Sequence, residues 1–325
     1  MEDAVATKKR GLSAKFMEDL KEDGILHPLL RRVRRDTTLD FEIRYNYLNV
    51  YYRGGSLVKV SPLPREADKY TLTFNTNYVS KAKSAATDFQ ECTVASIADT
   101  ENWIACIAVL KDTMDLWFGV HPKDERALQQ MVVWENNDSP WANGTDYFIV
   151  DIEYDSRKGN ADEGGRFDLV ALRWESDAAS RKLKGKKRPK LVVIEMKAGD
   201  GALKGKAGLQ DHIAVLQEFA ASKSRKTMFV QEMLGVFTQK RELNLIRGLS
   251  HNKNMLDQVS IDTDLGFMLL LAGHDPASKK LSDELRTLQT ELPITFSTAN
   301  FMGFGLYKEN VHTLIEFRER FSAQI

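Results

Sequence analysis

Residues 191–200 read LVVIEMKAGD, a short apolar run that ends in a glutamate and a lysine. A continuous apolar run of this length, followed at once by turn-forming residues, is typical of a buried strand. Side chains alternate across a strand, so Glu195 and Lys197 share one face and lie roughly 6–7 Å apart. A charged side chain in a buried apolar strand costs free energy unless it is paired, so Glu195 and Lys197 are expected to have a specific role there.

Two further strands precede this one along the chain. The segments YFIVDIEY (147–154) and RFDLVALRW (166–174) are rich in β-branched and aromatic residues, and KLVVIEMKA (190–198) completes the series. Turn-forming or polar stretches separate the three segments. Three consecutive strands of this kind predict an antiparallel meander.

Helices are predicted on both sides of the meander. One is opened by Pro122, and another covers about 208–222 and leads to an apolar strand near 265–273. The order predicts an α/β (α+β) fold class, in which helices flank a mixed central sheet. Further predicted elements are helices over 226–249 and 279–292, a strand over 300–307 and a closing helix over 311–323.

The first 120 residues predict a separate N-terminal α+β region. Its aromatic segment 41–61 indicates a hairpin that turns at Gly54 and Gly55, and 69–78 indicates a third strand. Helical spacing is found over 11–35 and 80–118. We therefore divide the chain into residues 1–120 and a core of residues 121–325.

A second charged residue interrupts the middle strand of the meander. Asp168 lies in RFDLVAL, where the other strand positions are apolar. If Asp168 and Glu195 face the same side of neighbouring strands, the two carboxylates converge, and a shared divalent cation would make this tolerable. Mg²⁺ suits one or two carboxylates, waters and phosphate oxygens, and Lys197 would then orient or help deprotonate a water and stabilise charge on a phosphate.

A third carboxylate is predicted on the helix that precedes the meander. Leu128, Met131, Val132 and Glu135 recur at helical spacing and form one stripe. If this stripe packs on the sheet, Glu135 becomes a third acidic wall of the same site. The alternative is that Glu135 ends the helix and faces solvent.

An Asp on one strand of a meander, followed by Glu-x-Lys at the end of the next, resembles the PD-(D/E)XK nuclease superfamily, which has the restriction-endonuclease-like fold. The matching residues are Asp168 and the segment from Glu195 to Lys197, and the order of core elements over about residues 120–310 is similar. Glu135 matches a glutamate found on the first core helix of many members. Gln210 matches a polar residue on the helix after the third strand. The proline of the first motif is absent, since GRFD stands in its place.

The resemblance implies a role for each matching residue. Asp168 and Glu195 would hold Mg²⁺ or Mn²⁺, with Glu135 and the Met196 carbonyl as further ligands. Lys197 would position the attacking water, and Gln210 would orient Lys197 or contact the DNA backbone. The family also suggests a homodimer for double-strand cleavage.

Two basic segments are candidate phosphate contacts. The loop GDGALKGKAG (199–208) carries Lys204 and Lys206 but matches neither the dinucleotide-binding nor the P-loop glycine pattern, so a flexible turn is the simpler interpretation. The run RKLKGKKRPK (181–190) suits either a solvated loop or a phosphate-gripping arm. Its candidate contacts are Lys184, Lys186 and Lys187.

Composition excludes few classes of protein. Acidic and basic residues number 46 each, so any nucleic-acid-binding charge must be local. The two cysteines form no disulfide framework, the N-terminal segment lacks the apolar core of a signal peptide, and no apolar run is long enough to span a membrane. A cytoplasmic location is expected.

The sequence therefore predicts a metal-dependent hydrolase of phosphodiester bonds, an endonuclease rather than an exonuclease, with DNA favoured over RNA as the substrate. One alternative is a catalytically silent module that binds nucleic acid or protein on the same fold. A second is a hydrolase that uses the same carboxylates on a free nucleotide.

Overall fold

The computed structural model describes residues 9–79, 91–155, 166–181, 188–205, 208–252, 262–275, 277–300 and 303–322. The chain forms two compact units. Unit 1 contains Met1–Gln130 and Gly235–Leu245, and unit 2 contains Met131–Leu234 and Ile246–Ile325.

The first unit extends about ten residues beyond the predicted boundary near residue 120. Gln130 explains this extension, because its buried side chain joins two backbone segments of unit 1. Its Oε1 accepts from Gly54 N at 2.7 Å, and its Nε2 donates to Thr38 O at 2.8 Å. The start of the helix that carries Gln130 is therefore tied to unit 1.

Unit 1 is built on an antiparallel meander of five strands in the order β1-β2-β3-β4-β5. The aromatic segment predicted as one hairpin contributes to three of these strands, and the strand predicted at 69–78 ends at Thr73. The strands are β1 (Leu39–Ile43), β2 (Leu48–Tyr52), β3 (Gly55–Leu63), β4 (Glu66–Thr73) and β5 (Glu91–Val94). The helices of this unit are α1 (Ala14–Leu20), α2 (His27–Arg35), α3 (Ile97–Ile104) and α4 (Ile107–Val120).

The turn between β2 and β3 lies at the predicted glycine. Arg53 and Gly54 both have positive φ, at 49° and 72°, as a tight hairpin turn requires. A Cβ atom at Gly54 would also lie 2.4 Å from the Arg126 side chain. Backbone conformation and close approach thus both require glycine at this position.

Alternation divides β1 into an apolar face and an ionic face. Phe41 and Ile43 lie in the core of unit 1, whereas Glu42 points to the other side and is fully buried. Lys240, itself 2% exposed, donates to Glu42 Oε1 at 2.7 Å, and Arg44 lies 3.4 Å from Glu42 Oε2. A buried carboxylate is tolerated here because two cations compensate it.

Unit 2 contains a mixed sheet of five strands in the order β10-β9-β8-β7-β6. The strands are β6 (Tyr147–Asp155), β7 (Arg166–Arg173), β8 (Lys190–Ala198), β9 (Asp262–Ala272) and β10 (Ile294–Ala299). Antiparallel pairing joins β6 to β7 and β7 to β8, and parallel pairing joins β8 to β9 and β9 to β10. The predicted meander, the crossover to a later strand and the mixed sheet flanked by helices are confirmed.

Helices flank this sheet in the predicted order. They are α5 (Asp124–Asn137), which begins in unit 1, α6 (Ala178–Arg181), α7 (Leu209–Ala221), α8 (Lys223–Glu242), which ends in unit 1, α9 (Lys279–Thr287) and α10 (Leu314–Ser322). Among the residues that the structure describes, no helix is both long and apolar enough to cross a membrane.

The last strand lies earlier in the chain than predicted. The prediction placed it at 300–307, but β10 ends at Ala299, and the described residues 303–307 are not a strand. Asn136 holds this segment instead, since its side chain donates to Phe304 O and accepts from Leu306 N. The aromatic residues that suggested a strand therefore belong to a connection fixed by a side chain.

The ionic face of β1 gives a test of how unit 1 is stabilised. Lys240→Met should lower the free energy of unfolding by about 3 kcal/mol, because Glu42 would lose one of its two buried cations. Chemical denaturation monitored by circular dichroism measures this difference. The control is Lys21→Met, which removes the exposed Lys21–Glu18 pair and should leave the free energy of unfolding close to that of the native protein. Equal effects of the two substitutions would contradict a stabilising role for the buried pair.

Candidate active site

The pairing of β7 with β8 brings Asp168 and Glu195 together. Leu169 is opposite Ile194 and Val170 is opposite Val193, and continuing this register by one residue sets Asp168 opposite Glu195. Residues directly opposite in an antiparallel pair have Cβ atoms about 4.5–5.5 Å apart. The backbone N–H of Met196 donates to Asp168 Oδ2 at 2.8 Å, so the carboxylate itself continues the contact between the strands.

The environment of Asp168 favours its protonated form. The pKa of Asp168 is raised to about 8, mainly by burial and also by the charge of Glu195 and a hydrogen bond between the two carboxyl groups, while the Met196 N–H opposes the rise. Glu195 is only 1% exposed. Two carboxyl groups in contact in such a place share a proton at neutral pH unless a cation replaces it.

A histidine that the sequence did not single out connects Glu195 to Lys197. His212 lies on the first turn of α7, with Nδ1 2.8 Å from Glu195 Oε2 and Nε2 2.8 Å from Lys197 Nζ. A neutral ring with its proton on Nδ1 donates to the carboxylate and accepts from the lysine ammonium, so one tautomer satisfies both contacts. The site is therefore a chain of contacts that runs Asp168, Glu195, His212, Lys197.

Lys197 is unusually buried for a lysine. It is 6% exposed, and its amine lies 2.8 Å from His212 Nε2. Lys197 is therefore connected to Glu195 through the His212 ring, whose Nδ1 contacts that carboxylate.

Gln210 does not contact Lys197. It is exposed, and its side-chain amide forms a pair of hydrogen bonds at 3.0 Å with the backbone N–H and C=O of Gln289. The predicted role of orienting the lysine is thus wrong for Gln210, and His212 has the position for it. The two residues are about 200° apart around the helix, so they point to opposite sides.

Glu135 does not reach the carboxylate pair either. It lies near the end of α5, where it raises the pKa of Tyr307 after the larger effect of burial. Asn137, two residues later, bonds both backbone groups of Ile149, whereas Asp168 is opposite Glu153 in the continuous register of β6 and β7. Ile149 and Glu153 are four residues apart on β6, which is about 13 Å along the strand. Glu135 is therefore not a third acidic wall of this site.

Glu153 is the third carboxylate at the level of Asp168. It has an unusual positive φ of 50° and forms an ion pair with Arg166, and its charge also raises the pKa of Asp168. A non-glycine residue in this conformation is strained, which is common at functional sites. Glu153 was not predicted, since nothing in YFIVDIEY distinguishes it from a solvent-facing residue.

Of the five lysines predicted to contact phosphate, the structure describes Lys204. Lys204 is exposed, and its Nζ lies 3.6 Å from Glu284 Oε2. The other candidates, Lys184, Lys186, Lys187 and Lys206, lie outside the described residues.

The residues present fit a small divalent cation. Within the described part of the chain, no group of three or more His, Cys, Asp or Glu side chains is arranged to hold a metal ion. Mg²⁺ does not require such a group, because it binds through one or two carboxylates and keeps several waters. Asp168 and Glu195 provide these two carboxylates, and the repulsion that raises the pKa of Asp168 is the condition that a cation relieves.

Comparisons of the chain with protein-family models, with curated proteins and with solved structures give no match. The chemistry of the site must therefore be inferred from its own geometry.

The shared proton predicts an unusual dependence of stability on pH. A carboxyl group whose pKa rises on folding binds its proton more tightly in the folded protein, so its contribution is complete below the ordinary pKa of 3.8 and is lost as pH rises toward about 8. Asp168→Asn should remove this loss of stability at high pH, because an amide stays neutral and its oxygen can still accept from Met196 N. We expect the melting temperature of the variant to exceed that of the native protein at pH 8.5 by about 2–4 °C per kcal/mol recovered, and the difference to shrink at pH 5.

Differential scanning calorimetry in metal-free buffer measures both proteins. Asp283→Asn is the control, because the Asp283 side chain is 40% exposed and forms an ion pair with Arg286 on its own helix. A constant difference between Asp168→Asn and the native protein from pH 5 to 8.5 would contradict the shared-proton interpretation.

Proposed function

We propose that this protein is a metal-dependent nuclease that hydrolyses phosphodiester bonds of DNA. The observation that carries the proposal is the contact between Asp168 and Glu195 at the ends of two neighbouring strands, with Lys197 two residues away. The same arrangement underlies the resemblance of this sequence to the PD-(D/E)XK nucleases. The mixed sheet flanked by helices is consistent with that superfamily.

Asp168 and Glu195 are the groups that would hold Mg²⁺ or Mn²⁺, with the Met196 carbonyl as an expected further ligand. Bound there, the cation would neutralise the two carboxylates and stabilise charge on the phosphate. The hydrogen bond from Met196 N to Asp168 Oδ2 fixes one oxygen of a carboxyl group that also contacts Glu195.

Lys197 would act on the water and on the phosphate. Its ammonium donates to His212 Nε2 and retains two further protons, which can hold a water oxygen and a phosphate oxygen. A fixed cation next to the reacting phosphorus stabilises the charge that develops there. His212, on α7, holds the Lys197 amine in place.

The reaction adds one water to one phosphodiester bond. The water oxygen forms a bond to phosphorus and the bond from phosphorus to the leaving ester oxygen breaks. The hydroxyl group of the water remains on the phosphate and its other proton ends on the leaving oxygen, so one product carries a phosphate monoester and the other a free hydroxyl. No oxidant, reductant or nucleotide cofactor is needed.

Plasmid cleavage tests the proposal. Native protein should nick or cut plasmid DNA in Mg²⁺ or Mn²⁺ and lose that activity in EDTA. Asp168→Asn, Glu195→Gln and Lys197→Met should each reduce the rate by about 100-fold or more, because each removes a group that contacts the cation or the phosphate.

Glu135→Gln is the matched control for these substitutions. It replaces a carboxylate of the same unit that lies away from the pair, so its cleavage rate should equal that of the native protein. Cleavage that survives in Asp168→Asn and Lys197→Met would contradict the proposal. Loss of cleavage in Glu135→Gln would return that residue to the site.

The substrate class is tested in the same assay. Linear and circular DNA, RNA and free nucleotides are compared at equal phosphate concentration, and circular DNA should be cleaved if the enzyme is an endonuclease. Hydrolysis of free nucleotides alone would favour the small-molecule hydrolase. DNA binding without cleavage would favour the silent binding module on the same fold.

A further inference from the structure

The ends of β8 and β9 carry a second pair of polar residues that the cleavage chemistry does not use. The two parallel strands finish at the same level, with Ala198 opposite Ala272. Each strand is followed by a glycine with positive φ, Gly199 at 66° and Gly273 at 63°. These left-handed residues end both strands at once, a conformation that glycine adopts without strain.

The residues after the two glycines meet. His274 Nδ1 lies 2.9 Å from Asp200 Oδ1, and His274 Nε2 lies 3.0 Å from the backbone oxygen of Lys197. The His274 side chain is 4% exposed and that of Asp200 is 27% exposed. Both partners of the ring are acceptors, so a ring nitrogen that carries a proton can donate to the oxygen beside it.

This arrangement holds Lys197 at its backbone as well as at its side chain. The carbonyl of Lys197 accepts from His274, and its amine donates to His212. Lys197 is the second-last residue of β8, a place where a strand would otherwise fray. A lysine side chain has many rotamers, and its amine can be placed only as accurately as the backbone that carries it.

We propose that His274 and Asp200 are positioning residues that hold the end of β8 and so place the Lys197 amine against His212. The effect of these residues on catalysis rests on the proposed nuclease function, whereas their placement of the Lys197 amine does not depend on it. Neither ring nitrogen of His274 faces Asp168 or Glu195, and both are occupied. His274 therefore acts through Lys197 and makes no contact with the reacting groups.

The placement is measured first, without reference to activity. The ring nitrogens of His212 are observed by long-range ¹H–¹⁵N NMR, with His212→Asn to assign their signals. His274→Ala should shift the Nε2 signal of His212, because the lysine ammonium that hydrogen-bonds to it becomes less well held. His274→Gln, whose amide can still donate to the Lys197 carbonyl, should restore most of the native shift.

His312→Ala is the matched control. His312 is a partly buried histidine of the same unit that bonds to Arg320, and its removal should leave the His212 signals unchanged. Asp200→Ala provides a second variant if His274→Ala fails to fold, and it should shift the same signal in the same direction. An unchanged His212 signal in all folded variants at positions 200 and 274 would overturn the inference.

The kinetic consequence is measured on plasmid cleavage. His274→Ala should lower kcat by about 10- to 100-fold, the usual effect of removing a residue that orients a catalytic group, while KM and the Mg²⁺ concentration for half-maximal activity stay unchanged. A rise in KM or in the Mg²⁺ requirement without a fall in kcat would contradict positioning of the lysine. If native protein does not cleave any substrate but the His212 signal shifts as expected, the nuclease proposal fails and the positioning role stands.

Discussion

The contact between two carboxyl groups on neighbouring strands is the constraint on which the candidate site depends. Asp168 and Glu195 are brought together by strand register, and register is set by the apolar residues that precede Glu195 in β8. A slip of one residue would move Glu195 and Lys197 to the other face of the sheet. The same hydrophobic pattern that stabilises the core thus also assembles the acidic pair.

Holding the two carboxyl groups in contact is unfavourable for folding. Burial and the neighbouring charge raise the pKa of Asp168 to about 8, so part of the stability that the apolar strands provide is used to keep two acids together. Such a cost is typical of sites in which binding of a cation or substrate relieves the repulsion. The ionic face of β1 in unit 1 differs, because Lys240 and Arg44 already compensate Glu42 there.

Local patterns predicted the strands and the residues on them. Apolar runs and alternation were sufficient for the order of β6, β7 and β8, and hence for the contact between Asp168 and Glu195. The buried face of α5, the helix before these strands, was harder to predict, because α5 buries polar residues. Gln130 and Asn136 bond to the backbone of other segments, while Met131 is 47% exposed, so the apolar stripe that placed Glu135 in the site was not the buried one.

The histidines of the site could not be found from spacing alone. His212 meets Glu195 across 17 residues and His274 meets Lys197 across 77, and each contact depends on how a helix or a parallel strand returns to the sheet. A signal for His212 did exist, because Leu216 and Phe219 follow it on the buried stripe of α7. For His274 the useful signal was the repeated glycine after two strands that end together, which becomes visible only when their pairing is known.

Diffraction from crystals soaked in Mn²⁺, collected at a wavelength where manganese scatters anomalously, tests the central claim most directly. The carboxylate pair predicts an anomalous peak about 2.1 Å from an oxygen of Asp168 and from an oxygen of Glu195. Crystals of Asp168→Asn treated in the same way should lack this peak. Native crystals without a peak between the two side chains, at a manganese concentration that labels other sites, would show that the pair does not hold a divalent cation.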